Sequence, residues 1–189
     1  MGCLRWNHSI WIWLTLAPSQ GRCTFGKLRF LCIWKSSCGL FTSKWYSKDK
    51  LIKRRWVGCS RCCFCDHDET IQHLFLECAL AKLLWRTIHI AFNINPQVDI
   101  ASLFGTWLAG VDQIIAARIR IGICALLWAI WNCRNDMIFN RQHNLTFLQV
   151  IFRATAWIRT WSLLTPMDSR EPLVTGCNQW DMVAPVIFN

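Results

Sequence analysis

The chain has 189 residues, of which 53% are hydrophobic and 13 are Trp, so it can bury one sizeable core, and wholesale disorder is excluded. Its formal net charge is +10, and ten of its 21 Lys and Arg residues fall between positions 27 and 61, which favours a phosphate-bearing partner. The 12 unevenly spaced cysteines favour a metal site over a secreted disulfide scaffold.

The N-terminal part of the chain predicts little regular structure. Residues 1–26 have no steady period, and we leave them unassigned as either disordered or not native coding sequence. A domain is predicted over 27–165, and its first clear element is a basic amphipathic helix that begins at Ser47. Leu51, Ile52 and Trp56 form its apolar face. The basic residues on and after this helix, which we predict to contact the phosphates of RNA or DNA, are Lys48, Lys50, Lys53, Arg54, Arg55 and Arg61. A solvated helix face is the alternative.

A cluster of cysteine and histidine follows this helix. Cys62, Cys65, His73 and Cys78 form the pattern C-x2-C-x7-H-x4-C, which is enough to surround one tetrahedral zinc ion. A closed site of four ligands is structural, so no zinc catalysis is predicted. His73 and Cys78 are too far apart in sequence to share one face of a regular helix, so a helix start or a local break must bring them together. On spacing alone, three other residues compete as ligands: Cys59, Cys63 and His67.

Helical patterns fill the rest of the chain. A helix is predicted from Thr70, with a break near Cys78, to Phe92, and further helices over 100–108, 113–135 and 145–164. Ile121–Trp131 is uncharged but well short of the about 20 residues that span a bilayer, so no membrane span is predicted. Residues 166–189 are predicted to be a loose tail. The fold class is therefore mainly α: a zinc-stapled module at 59–85 (the zinc module), a helical bundle over 86–165, and an irregular N-terminal region.

Several motifs occur in order along the chain. They are Cys62-x2-Cys65, Glu69-Thr70, His73-Leu74-Phe75-x2-Cys78, Leu103-Phe104-Gly105-x-Trp107-Leu108 and Leu127-Trp128-Ala129-x-Trp131-x2-Arg134-Asn135-Asp136. Together they resemble the zinc-binding region of plant non-LTR (LINE-type) retrotransposon reverse transcriptases, over roughly residues 45–160. The resemblance implies that Cys62, Cys65, His73 and Cys78 bind one structural Zn²⁺. It also implies that the region binds template RNA or target DNA.

No catalytic motif accompanies these residues. A polymerase needs clustered aspartates such as Y-x-D-D to hold two metal ions, and the 11 acidic residues form neither this motif nor an RNase H arrangement. We therefore predict a binding module that is not an enzyme, located inside the cell in the nucleus or cytoplasm. The alternative is a protein-interaction scaffold that binds its partner through exposed Trp-rich helices, or a decayed element without molecular activity.

Overall fold

The computed structural model describes residues 47–53, 55, 57–94, 99–104, 106–139 and 146–188, with the side chains of Lys50, Phe104 and Phe188 outside the description. The predictions for residues 1–26, and for the irregular N-terminal region as a whole, lie outside these ranges. Within them the fold is helical, with no β-strand beyond the isolated bridge between Arg61 and Asp68. The predicted fold class, a small Cys/His module followed by a helical bundle, is confirmed.

The first elements surround the zinc module. Helix α1 (Lys48–Lys53) begins directly after Ser47, as the sequence predicts. A short π-helical segment, His73–Glu77, follows the cysteine loop, and helix α2 (Ala79–Phe92) starts after a break at Cys78. Helix α2 ends at Asn93, whose left-handed backbone (φ 54°) stops the helix. The predicted helix with a break near Cys78 is therefore confirmed.

Four further helices complete the described part of the chain. Helix α3 (Ile100–Phe104) is shorter than predicted, and the chain then turns as far as Gly110, which adopts a positive φ of 87°. Helix α4 (Gln113–Phe139) and helix α5 (Phe147–Ser162) match the predicted helices within a few residues. A capping box between Thr146 and Gln149 fixes the start of α5. Helix α6 (Met167–Phe188) is the last.

The bundle core lies between α2, α4, α5 and α6. Helix α5 packs on both α4 and α6, α2 packs on α6, and the π-helical segment packs on α2 and α4. Ala125, Leu126, Ala129 and Ile130 on α4 are completely buried, which explains why this helix is apolar nearly all round. The motif residue Trp107 contacts the ring of the buried Trp85 edge-on, at 6.1 Å between centroids. The turn after α3 is thereby attached to α2.

The prediction of a loose tail after position 166 is wrong, because most of this segment forms α6. Its residues Leu173, Cys177, Trp180 and Ala184 recur at helical spacing, and all are buried. The Trp180 indole N–H donates to Thr87 Oγ1 on α2 at 2.8 Å. Two internal prolines, at positions 172 and 185, obscure the helical pattern in the sequence.

Helix α4 also corrects the expectation that no segment is long enough to cross a bilayer. Its 27 residues include an 18-residue window of mean hydropathy 1.8, so by length and composition alone it could span a membrane. Half of that window is buried inside the protein. A helix buried against α5 and the π-helical segment needs the same apolar composition as a helix that spans a membrane. Arg134, in the last third of α4, is buried as part of an ion pair.

Candidate metal centre

The four predicted ligands lie together at one point in the zinc module. Cys62 Sγ and Cys78 Sγ are 3.9 Å apart, and Cys78 Sγ and Cys65 Sγ are 3.7 Å apart. Zinc–sulfur bonds of about 2.3 Å in a tetrahedron give sulfur–sulfur edges of about 3.8 Å. Cys65 Sγ and His73 Nε2 are closer, at 3.0 Å, so an ion would move these two atoms apart by roughly half an ångström. Three sulfurs and one imidazole nitrogen are a donor set that suits zinc.

A short antiparallel ladder holds the first two ligands. The Cys62 N–H donates to His67 O at 2.7 Å, and the Glu69 N–H donates to Ser60 O at 2.9 Å. The loop between these bonds carries Cys65, and the Phe64 N–H points to Cys62 Sγ at 3.5 Å. An N–H directed at sulfur stabilises the thiolate form that a metal requires.

The π-helical segment positions the other two ligands. The Cys78 N–H donates to His73 O at 2.7 Å, a bond from residue i+5 to residue i that is characteristic of a π-helix. The wider turn brings His73 and Cys78 next to each other, which a regular α-helix could not do. The predicted local break is therefore a π-helical turn. Cys78 also immediately precedes α2, whose positive dipole end favours a thiolate.

The thiols of the cluster interact strongly with one another. Hydrogen bonds from the thiols of Cys63 and Cys78 lower the pKa of the Cys62 thiol well below its usual range. The same hydrogen bonds to Cys62, together with burial, raise the pKa values of Cys63 and Cys78. Of these three thiols, Cys62 is therefore the one that ionises most readily. Because the pKa of the Cys78 thiol is raised, zinc binding there must release a proton, so zinc affinity falls as the pH is lowered.

The competing ligands occupy different positions. Cys63 forms a second possible group with Cys62 and Glu69, but the Glu69 carboxylate is already bonded to Arg134. Cys59 is exposed and belongs to neither group of possible ligands among the described residues. His67 is exposed and stacks on the ring of His73, at 5.5 Å between centroids. The group of Cys62, Cys65, His73 and Cys78 could therefore hold one zinc ion, with His67 covering its imidazole ligand.

The predicted phosphate-contacting residues divide into three sets. Lys53, Arg55 and Arg61 have exposed side chains. Lys48 is buried, and its ammonium group donates to Arg61 O, so the prediction that it lies on the exposed basic face of α1 is wrong. It instead ties α1 to the metal loop. The Lys50 side chain and Arg54 lie outside the described residues, as does Trp56.

Sequence reasoning missed the role of one ion pair beside the centre. Arg134 Nη2 lies 2.6 Å from Glu69 Oε1, and the two side chains are 2% and 0% exposed. Glu69 belongs to the Glu69-Thr70 motif and Arg134 to the Arg134-Asn135-Asp136 motif, so both residues were noted, but only as parts of the resemblance. Neither motif alone indicates that Glu69 and Arg134 form an ion pair.

The closed set of three cysteines and one histidine defines a structural type of zinc-binding site. The family model described as zinc-binding in reverse transcriptase matches residues 6–85. This match confirms, for residues 6–85, the resemblance found in the sequence, and the family it describes is a zinc-binding region rather than the catalytic core. The match begins at residue 6, so it includes most of the segment that the sequence leaves unassigned. Searches of curated proteins and of solved structures found no match.

The cysteines should differ sharply in their reactivity towards iodoacetamide at pH 8. Burial raises the pKa of Cys133 and of Cys177 to about 11, so about one thiol in a thousand is ionised, and both should react slowly. The exposed Cys59 should react first. In zinc-loaded protein Cys65 and Cys78 should be protected, and a chelator should remove that protection. Tandem mass spectrometry of the tryptic peptide that begins at Cys62 measures this; protection of Cys63 in place of Cys65 would contradict the proposed ligand set.

Proposed function

We propose that this chain binds single-stranded or duplex nucleic acid through the basic surface beside its zinc site, and that it has no catalytic activity of its own. In this proposal Cys62, Cys65, His73 and Cys78 bind one structural zinc ion, which requires a reducing, intracellular compartment. The observation that supports it best is the exposure of Lys53 and Arg55, at and just after the end of α1, and of Arg61, next to the ligand Cys62. We call these three residues the basic surface.

The basic surface is attached to the metal centre. Arg61 directly precedes the ligand Cys62, and the Lys48 ammonium group bonds the Arg61 carbonyl to α1. Arg55 has a positive φ of 64°, and its N–H donates to Ile52 O at 2.9 Å, which is a turn at the end of α1. The zinc ion would thus fix the position of Arg61 relative to α1, which carries Lys53.

Acidic residues nearby do not neutralise the basic surface. Among the described residues Arg61 has one ion-pair partner, Asp66, at 4.0 Å, and the two side chains are 65% and 98% exposed. A pair this exposed contributes little stability, so a phosphate can displace the carboxylate. Asp68 is already engaged, since its Oδ1 accepts from Ser60 Oγ at 2.7 Å. The net charge of +10 gives the chain a further long-range attraction for polyanions.

Neutralising the basic surface should lower the affinity for nucleic acid and also make that affinity less dependent on salt concentration. For the triple variant Lys53→Gln, Arg55→Gln, Arg61→Gln, we expect the slope of log affinity against log salt to decrease by about two to three units, because each phosphate contact contributes about 0.7 to 0.9. The measurement is fluorescence anisotropy of labelled RNA and DNA of the same sequence between about 50 and 200 mM salt, a range over which multi-contact binding changes markedly.

A matched control is available on α2. Lys82 and Arg86 are exposed and belong to another part of the surface, so Lys82→Gln with Arg86→Gln removes two positive charges outside the basic surface. The control should lower affinity only slightly. Equal losses in the two variants would mean that binding follows net charge alone, and an unchanged salt slope in the triple variant would contradict the proposal.

The alternative, a protein-interaction scaffold, has one observation in its favour. At the end of the bundle where α4 begins and α5 meets α6, several apolar side chains are exposed. They are Val111, Ile114, Ile115, Leu163, Leu164 and Met167. The anisotropy experiment separates the two functions, because a scaffold has no reason to lose RNA affinity with salt when the basic surface is changed.

A further inference from the structure

We propose that Arg134, which lies on α4 well outside the matched family region, is a positioning residue of the zinc site. By holding the Glu69 carboxylate it fixes the place where the two halves of the ligand set join. The functional zinc-binding unit of this chain would then include α4 and would not end at residue 85. This inference rests on the proposed ligands and is independent of nucleic-acid binding.

Glu69 occupies the junction between the two ligand pairs. On its N-terminal side, its own N–H closes the ladder by bonding to Ser60 O, and the loop of that ladder carries Cys62 and Cys65. On its C-terminal side, Thr70 starts the helix that leads to the other pair: Thr70 Oγ1 accepts from the His73 N–H at 3.0 Å. A displacement of Glu69 therefore shifts one ligand pair relative to the other.

Arg134 holds this junction with a fork of hydrogen bonds. Its Nη2 donates to Glu69 Oε1 at 2.6 Å, and its Nε lies 3.2 Å from Oε1 and 3.3 Å from Oε2. The backbone N–H of Lys48 adds a bond to Oε1 at 3.0 Å. The carboxylate is thus bonded from both α4 and α1. A planar guanidinium fixes the orientation of a carboxylate in a way that a single ammonium group cannot.

The guanidinium is itself held in place. Arg134 Nη1 donates to Asn135 Oδ1 at 2.9 Å, and the Arg134 guanidinium carbon lies 5.0 Å from the centroid of the Trp131 ring. The backbone of α4 packs directly on the π-helical segment that carries His73. Arg134 is therefore a rigid donor on a rigid element, which is what positioning a metal ligand requires.

Loss of Arg134 should weaken zinc binding more than it disturbs the bundle. In Arg134→Met the Glu69 carboxylate would stay buried without its charged partner, which is unfavourable, so it should turn towards solvent and pull the ladder with it. Residues that orient metal ligands typically change metal affinity by about 10- to 100-fold. We expect a loss in that range for Arg134→Met in the full chain.

The experiment compares zinc affinities by competition with a chromophoric chelator, and records the cobalt(II) spectrum as a check on ligand geometry. The matched control is Arg153→Met, which removes another α4 ion pair: Arg153 on α5 bonds to Asp136 Oδ2. The control should keep wild-type zinc affinity. Circular dichroism of each variant tests whether its helices are retained.

Two more variants keep the test decisive if Arg134→Met does not fold. Arg134→Lys keeps the charge but loses the fork, and should fold with a smaller loss of affinity. Glu69→Leu with Arg134→Met removes both buried charges, so folding should recover while zinc affinity stays low. Wild-type affinity in any folded Arg134 variant would overturn the inference, and absence of zinc from the wild type would overturn it together with the ligand assignment. Failure of RNA binding alone would leave zinc affinities as expected and would refute only the proposed function.

Discussion

Cys78→Ser should remove zinc from the protein and unfold the zinc module, with metal content falling from one zinc per chain to none. Cys78 joins the π-helical segment to α2 and is completely buried, so its loss breaks both the metal site and the start of a core helix. The effect should be large, because apparent binding energies for structural zinc in small domains are about 10–16 kcal/mol and are coupled to folding.

The measurement is elemental analysis of purified protein, with circular dichroism in parallel. Cys65→Ser should behave like Cys78→Ser, since both residues belong to the same group. Cys177→Ala is the matched control, because Cys177 is equally buried but lies on α6, where its thiol donates to Thr155 O. It should retain one zinc. A wild-type protein without zinc after purification in the absence of chelators would contradict the assignment.

Trp180→Ala should destabilise the bundle by about 3–5 kcal/mol, the usual cost of removing a buried aromatic side chain. Trp180 is only 2% exposed, and it attaches α6 to α2 by packing and by its bond to Thr87 Oγ1. Trp180→Phe keeps most of the packing and should lose less, with about 1 kcal/mol from the hydrogen bond. Chemical denaturation followed by helical circular dichroism provides the measurement.

Met182→Ala is the control for this helix, since that side chain is 70% exposed and only two residues away. It should change the free energy of unfolding by less than about 0.5 kcal/mol. Equal, small effects at both positions would mean that α6 does not dock on α2, and that the sequence-based prediction of a loose tail describes the protein in solution.

Local patterns in the sequence were sufficient for much of the fold. The helical periodicity predicts α4 and α5 closely, and the unusual spacing of His73 and Cys78 indicates that the helix between Thr70 and Phe92 cannot be regular. The break takes the form of a π-helical turn, which spacing alone does not specify. The choice of ligands followed from the family resemblance, because on spacing alone Cys59, Cys63 and His67 compete for the same ion.

Features that depend on distant contacts could not be predicted in this way. Helix α6 has the apolar spacing of a core helix. Its prolines and polar residues nevertheless favour a loop, and only the packing against α2 shows that the segment is helical. Lys48 appeared to be a surface charge, because no sequence pattern shows that Arg61 O lies within its reach. The bond between Glu69 and Arg134 joins residues 65 positions apart, beyond any local signal.

That separation also sets the order in which the parts of the zinc site are synthesised. All four ligands precede α4 in the chain, so on a growing polypeptide they are available to zinc before Arg134 has been synthesised. An early metal complex would form with Glu69 unpaired and still exposed to water, and it would become rigid only when α4 docks. Closing so long a loop is slow compared with forming a helix. If Arg134 positions the ligands as proposed, tight zinc retention would be a late event in the maturation of this protein, even though its ligands are among the first described residues to emerge.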